Sequence, residues 1–220
     1  MTFFRNRAFP ALAGVLWAVF LFLDVTRTAD STLVKFAGIC LCCIAALPGA
    51  HTADGRLVAA ALCFTVGADW FLLVRDKNYT LGVCLFLVVQ GLYAVRLYAL
   101  RDARPCLPGL VFRAGELLLL AILTVTDPSL LPLWAVLLYF SNLCVNTLEA
   151  FALKKRVFAW GLLLFVCCDI CVGLWNVSPF IPPVLGELAR IGMWFFYLPS
   201  QVLIVLSQEQ EKGCPHEKTV

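Results

Sequence analysis

Apolar residues run through the chain in blocks of about 20, the length that a helix rising ~1.5 Å per residue needs to cross a ~30 Å hydrocarbon core. In order, the blocks predict spans over residues 9–25, 32–50, 56–74, 79–100, 109–126, 130–150, 157–177 and 188–207. Short polar or proline-bearing stretches separate them, among them residues 51–56 and 101–108, Asp127-Pro128-Ser129, and a loop holding Pro179, Pro182 and Pro183. The first block follows Arg5 and Arg7, as a signal peptide would. No small-residue cleavage site closes it, so it reads as a retained span ended by Asp24 and Arg27. The expected fold class is all-α: one polytopic membrane bundle of about eight transmembrane helices covering residues 1–220.

Two interruptions of the apolar pattern matter most. Asp69 sits inside the third span and Asp169 inside the seventh, at similar depth and 100 residues apart. A carboxylate at membrane depth is expensive and is retained where it faces a polar interior and acts there. Four spans separate the two, a spacing expected of two four-helix halves with the same orientation. Close together in a low-dielectric cavity, two carboxylates would divide their roles, one kept protonated as an acid and the other ionised. Asp69 and Asp169 are therefore the candidate catalytic residues. The structural alternative is that each is only capped by a neighbouring Asn, Gln or Tyr, or paired with a cation.

Other polar positions fall at helical spacing on the remaining spans. Tyr139, Asn142, Asn146 and Glu149 share one face of the sixth, and Arg190, Trp194, Tyr197 and Gln201 align on the eighth. Tyr139, Asn142, Tyr197 and Gln201 are candidate pocket-lining, substrate-binding residues, with interhelical hydrogen bonding as the alternative. Lys35 and Arg190 lie near the starts of their spans at one mouth of the bundle. They form a candidate phosphate clamp above the carboxylates, against simple snorkelling of long cationic side chains. Arg113, Glu116 and Glu149 cluster toward the other end, where ion pairing that orients helices is expected.

Composition sharpens this picture. The chain is 62% hydrophobic, beyond the roughly 45–50% of soluble domains, so no separate soluble domain is expected. The eleven cysteines lie mostly within apolar blocks and read as small packing residues. No metal site is expected, because His51 falls in a loop and His216 in the tail. The net charge of +3 is dispersed, which argues against nucleic acid as a partner. The termini side carries ten loop cations (Arg5, Arg7, Arg56, Arg101, Arg104, Lys154, Lys155, Arg156, Lys212, Lys218) against five opposite (Arg27, Lys35, Arg75, Lys77, Arg190). The positive-inside rule then places both termini in the cytoplasm. No nucleophile elbow, Walker loop or His-Glu-x-x-His motif occurs.

Four stretches together resemble the YhhN family of lysoplasmalogenase-like membrane proteins: Leu33-Val34-Lys35, Val66-Gly67-Ala68-Asp69, Leu163-Leu164-Phe165-Val166-Cys167-Cys168-Asp169, and residues 197–207. The resemblance covers nearly the whole chain. That family usually has Gly directly before its first aspartate and often Pro after the lysine, where Ala68 and Phe36 stand here. The change moves Asp69 by one position, about 100° around a helix of ~3.6 residues per turn, unless the backbone adjusts locally. The resemblance implies hydrolysis of the sn-1 vinyl ether of a lysoplasmalogen, with a lysophospholipid as substrate, aspartates as acid and base, and no cofactor. From the residues alone, a transporter or channel binding a proton or cation at the two aspartates stands beside it. An intramembrane aspartyl protease is a weaker third reading, since the Gly-x-Gly-Asp context is missing.

Overall fold

A computed structural model describes residues 8–104 and 106–210. Arg5, Arg7, Lys212, His216 and Lys218 lie outside the described residues. The chain is a multi-pass helical membrane protein. Its helices are α1 (Phe9–Thr26), α2 (Thr32–Ala46), α3 (Ala53–Asp69), α4 (Tyr79–Leu100), α5 (Leu107–Thr126), α6 (Leu131–Ala152), α7 (Arg156–Asn176) and α8 (Pro183–Gln210), and no strand occurs among the described residues. All eight carry a stretch long and apolar enough to cross a membrane. Large apolar side chains such as Phe22, Leu118 and Trp160 point outward, where acyl chains rather than water would meet them.

The packing order gives the bundle its form. Helices α2, α3, α4, α6, α7 and α8 each pack on the next and α8 returns to α2, closing a six-helix ring. Within it, α2 packs on α3 and α3 on α4, and likewise α6 on α7 and α7 on α8. The outer helices differ. Helix α1 seals against both α2 and α8, whereas α5 leans chiefly on α6 and buries little.

Glycines permit the closest approach, between α7 and α8. A Cβ on Gly161 would stand 3.2 Å from the Ser200 carbonyl oxygen, and one on Gly192 2.8 Å from Cys171 Sγ. The eighth helix begins at Pro183, earlier than the predicted 188, because proline at the first helical position has no N–H to leave unsatisfied. Pro199, inside the same helix, cannot donate to the Phe195 carbonyl four residues back. Trp17 of α1 does so instead, its indole N–H reaching Phe195 O at 3.0 Å, and this ties α1 to the bundle.

Candidate active site

Asp69 is the last residue of α3 and is 4% exposed. Its Oδ2 accepts a hydrogen bond from the Tyr197 hydroxyl of α8 at 2.8 Å. Asp169, half-buried on α7, accepts one from Tyr139 of α6 at 2.6 Å. The second oxygen of each carboxylate has no hydrogen bond among the described residues. The two carboxylates lie within electrostatic range of one another, and neither has an ion pair among the described residues. Phe165, one turn from Asp169 on α7, packs against both tyrosines with ring centroids at 6.4 Å (Tyr139) and 5.5 Å (Tyr197). One aromatic wall thus joins the two tyrosine–aspartate pairs.

The backbone does adjust at the first aspartate. Immediately after Asp69 the helix widens into a π turn over Trp70–Val74, with the Arg75 N–H reaching back five residues to the Trp70 carbonyl. A π turn accommodates one extra residue in the helix, and such bulges recur at functional sites. Asp69 is turned into the ring and away from lipid.

Burial along single helix faces changes at the level of the pair. On α7 the inward stripe runs Phe158, Leu162, Phe165, Asp169, Val172, Asn176. Its first three residues are fully buried, Asp169 is half-buried, and Val172 and Asn176 are exposed. On α8, Tyr197, Gln201 and Ile204 are buried, while Arg190 and Trp194, further out, are half-buried. Along these two helices burial is therefore complete in the half nearer the termini and falls off toward the other end. Asp169 stands where it begins to fall, half-buried, while Asp69 is buried.

At the mouth, the expected phosphate clamp is engaged elsewhere. Lys35 is buried, pairs with Asp24 Oδ2 at 2.9 Å and lies 4.5 Å over the Trp194 ring, so it does not snorkel. Ser31 donates to the other Asp24 oxygen. Arg190 bonds Glu187 Oε2 at 3.1 Å and the Asp24 carbonyl oxygen at 3.1 Å, and Arg27 pairs with the same Glu187 oxygen at 2.7 Å. Asp24 and Glu187 were not among the expected site residues. Their signal was their place at helix ends facing Lys35 and Arg27.

The sixth-helix stripe divides. Tyr139 serves Asp169, but Asn142 accepts from Arg113 Nε at 3.2 Å and donates to Glu116 at 3.1 Å, which commits it to the α5–α6 contact. Arg113 also reaches Glu149 at 2.9 Å and Asn146 at 2.7 Å, the ion pairing expected at that end. Gln201 is fully buried one turn below Tyr197 and donates to Ser200 Oγ at 3.2 Å. Unforeseen was Arg96, 1% exposed, which forks onto Asp54 at 2.6 and 3.0 Å and donates to Ser207 at 2.7 Å. All ten described cysteines are free thiols. No three His, Cys, Asp or Glu side chains among the described residues converge as metal ligands.

An eight-helix bundle whose ring holds two carboxylates, each bonded by a phenol, defines a multi-pass membrane protein. The chain belongs to the YhhN family, whose model matches residues 31–208. Comparison with curated proteins and with solved structures gave no match.

Proposed function

We propose that this protein is a membrane hydrolase that cleaves the sn-1 vinyl ether of lysoplasmalogens, releasing a fatty aldehyde and a glycerophospho-base. Family membership supports the substrate class. The observation that carries the chemistry is the pair of intramembrane carboxylates that have hydroxyl partners but no counter-charge among the described residues. In this reading one aspartic acid protonates the β-carbon of the vinyl ether, forming an oxocarbenium ion. The other, ionised, stabilises that cation and takes a proton from the attacking water. The hemiacetal then collapses to aldehyde and alcohol, consuming one water overall. Tyr139 and Tyr197 hold Oδ2 of each carboxylate and leave Oδ1 for the reacting atoms. The lysophospholipid chain enters from the end of the ring opposite the termini, and its zwitterionic headgroup meets the mixed rim there, phosphate toward Arg190 and amine toward Glu187. Lys35, already neutralised by Asp24, holds the wall rather than the phosphate. Both termini face the cytoplasm in this reading, so a reporter fused after Val220 reads cytoplasmic.

The test is aldehyde release by purified protein from a lysoplasmalogen and from the matching acyl lysophospholipid. Release from the first alone is expected, with a bell-shaped pH profile belonging to the pair. Asp69→Asn and Asp169→Asn should each abolish it, and the double variant should be hardly worse than either single one, since residues acting as a unit are not additive. Helices packed around paired carboxylates also suit a transporter. Proton or cation flux in empty liposomes, without aldehyde release, would replace the hydrolase reading with that one.

A further inference from the structure

Three polar atoms in the packed half of the ring are buried without a hydrogen-bond partner among the described residues: Gln90 Nε2, the Tyr93 hydroxyl and Gln201 Oε1. Their side chains are at most 1% exposed. They fall within one helical turn along the bundle axis. The Arg96–Ser207 bond at 2.7 Å links α4 to α8, and both helices run toward the termini end. Gln201 lies six residues back from Ser207 and Gln90 six back from Arg96, each about 9 Å away from the termini end at ~1.5 Å per residue, and Tyr93 lies about 4.5 Å nearer that end than Gln90. All three belong to the ring interior. Asn146 of α6 donates to Gln90 Oε1 at 3.0 Å, Tyr93 stacks on Phe158 of α7 and lies within electrostatic range of Cys42 on α2, and Gln201 is on the inward face of α8.

Dry burial of a polar atom without a partner costs free energy, and native interiors meet that cost with ordered water that makes two to four hydrogen bonds. Here the donors and acceptors are complementary: an amide N–H, a hydroxyl that does either, and an amide oxygen. We propose that Gln90, Tyr93 and Gln201 form an internal water site, a small buried cluster one turn on the termini side of the Tyr197–Asp69 pair. It holds water whether or not the aspartates are catalytic.

The sign of a stability change decides the matter. Tyr93→Phe removes one oxygen and no described hydrogen bond, so it decides the sign; Gln201→Met removes the amide at similar volume but also its bond to Ser200 Oγ. A partnerless polar atom in a dry site destabilises, so deleting it raises Tm. A group bound to structural water stabilises, so deleting it lowers Tm. Each variant of the full chain in detergent should lose about 2–4 °C. The second measurement uses the unmodified protein: pulsed radiolytic footprinting, in which buried side chains are hydroxylated only where bound water lies beside them. Tyr93 should be labelled well above Phe20, an equally buried apolar control. Unchanged or raised Tm in Tyr93→Phe overturns the proposal, as does Tyr93 labelling no greater than that of Phe20. If neither variant folds, the footprint alone decides.

Discussion

Buried charge is handled in two different ways at two levels of this bundle. At the termini end the guanidinium groups meet carboxylates: buried Arg96 forks onto Asp54, and half-buried Arg113 pairs with Glu149. Among the described residues, the carboxylates of Asp69 and Asp169 meet phenols and no cation. A charge paired across helices fixes their register and is explained by that role. A carboxylate without a cation at membrane depth does nothing for register that an amide would not do more cheaply, so its retention points to proton or charge chemistry. The same polar residue types thus carry opposite meanings, and the partner tells them apart.

Breaking the termini-end pair tests the first half of that contrast and should have the largest effect on stability. Arg96→Gln leaves Asp54 facing the bundle without its fork partner and should cost about 3 kcal/mol, the low end for a broken buried pair because Asp54 keeps some access to water. Asp69→Asn and Asp169→Asn should by contrast stay within about 1 kcal/mol of the parent, because no partner charge is stranded and an amide oxygen still accepts from the tyrosine. Thermal unfolding of the three variants, beside their aldehyde release, separates scaffold from chemistry. Equal destabilisation by all three would make the aspartates structural.

The two tyrosines sharpen the comparison within the site. Removing the hydroxyl in Tyr197→Phe takes the phenol hydrogen bond from the buried Asp69 carboxylate, and should cost about 1–2 kcal/mol. In Tyr139→Phe the partial exposure of Asp169 lets water replace the lost donor, and about 0.5 kcal/mol is expected. Each should slow turnover roughly tenfold by loosening its carboxylate. Chemical denaturation of both variants checks the order. A Tyr139→Phe loss as large as that of Tyr197→Phe would mean that Asp169 is not reached by water.

The amino-acid sequence makes the bundle legible because hydrophobic length is a strong, local signal, and Asp69 and Asp169 stand out for the same reason. What it leaves illegible is which neighbour each helix face meets. Tyr139 and Asn142 share a stripe in the sequence, yet one faces α7 and the other α5, since the stripe is wide enough to touch two helices. Lys35 looked like a phosphate ligand because its partner, Asp24, reads as the end of a span. The prolines of α8 show a third kind of gap. Pro183 resembles a loop residue until it is seen to start a helix, and Pro199 is tolerated because a tryptophan from α1, far away in the chain, takes its place as donor.

The smallest effect concerns the membrane-external turn between α1 and α2, where charge is exposed and its use is local. Asp30 Oδ1 accepts from the Thr32 N–H at 3.0 Å and the Thr32 hydroxyl at 2.7 Å, covering donors at the open N-terminus of α2. The backbone bond to Thr32, then the side-chain bond, holds the Asp30 carboxyl below its ordinary value. A carboxyl lowered on folding contributes stability that is complete above its unfolded value, about 3.9, and is lost as the pH falls through the lower folded value. Asp30→Ala should therefore cost about half a kcal/mol or less at pH 7, given full solvent screening. The gap to the parent should narrow on acidification below pH 4, read as the difference in Tm between the two proteins across a pH series. A gap that stays constant to the acid limit would show that the turn is held by its geometry, and that charge at this rim, unlike charge inside the ring, carries no free energy worth measuring.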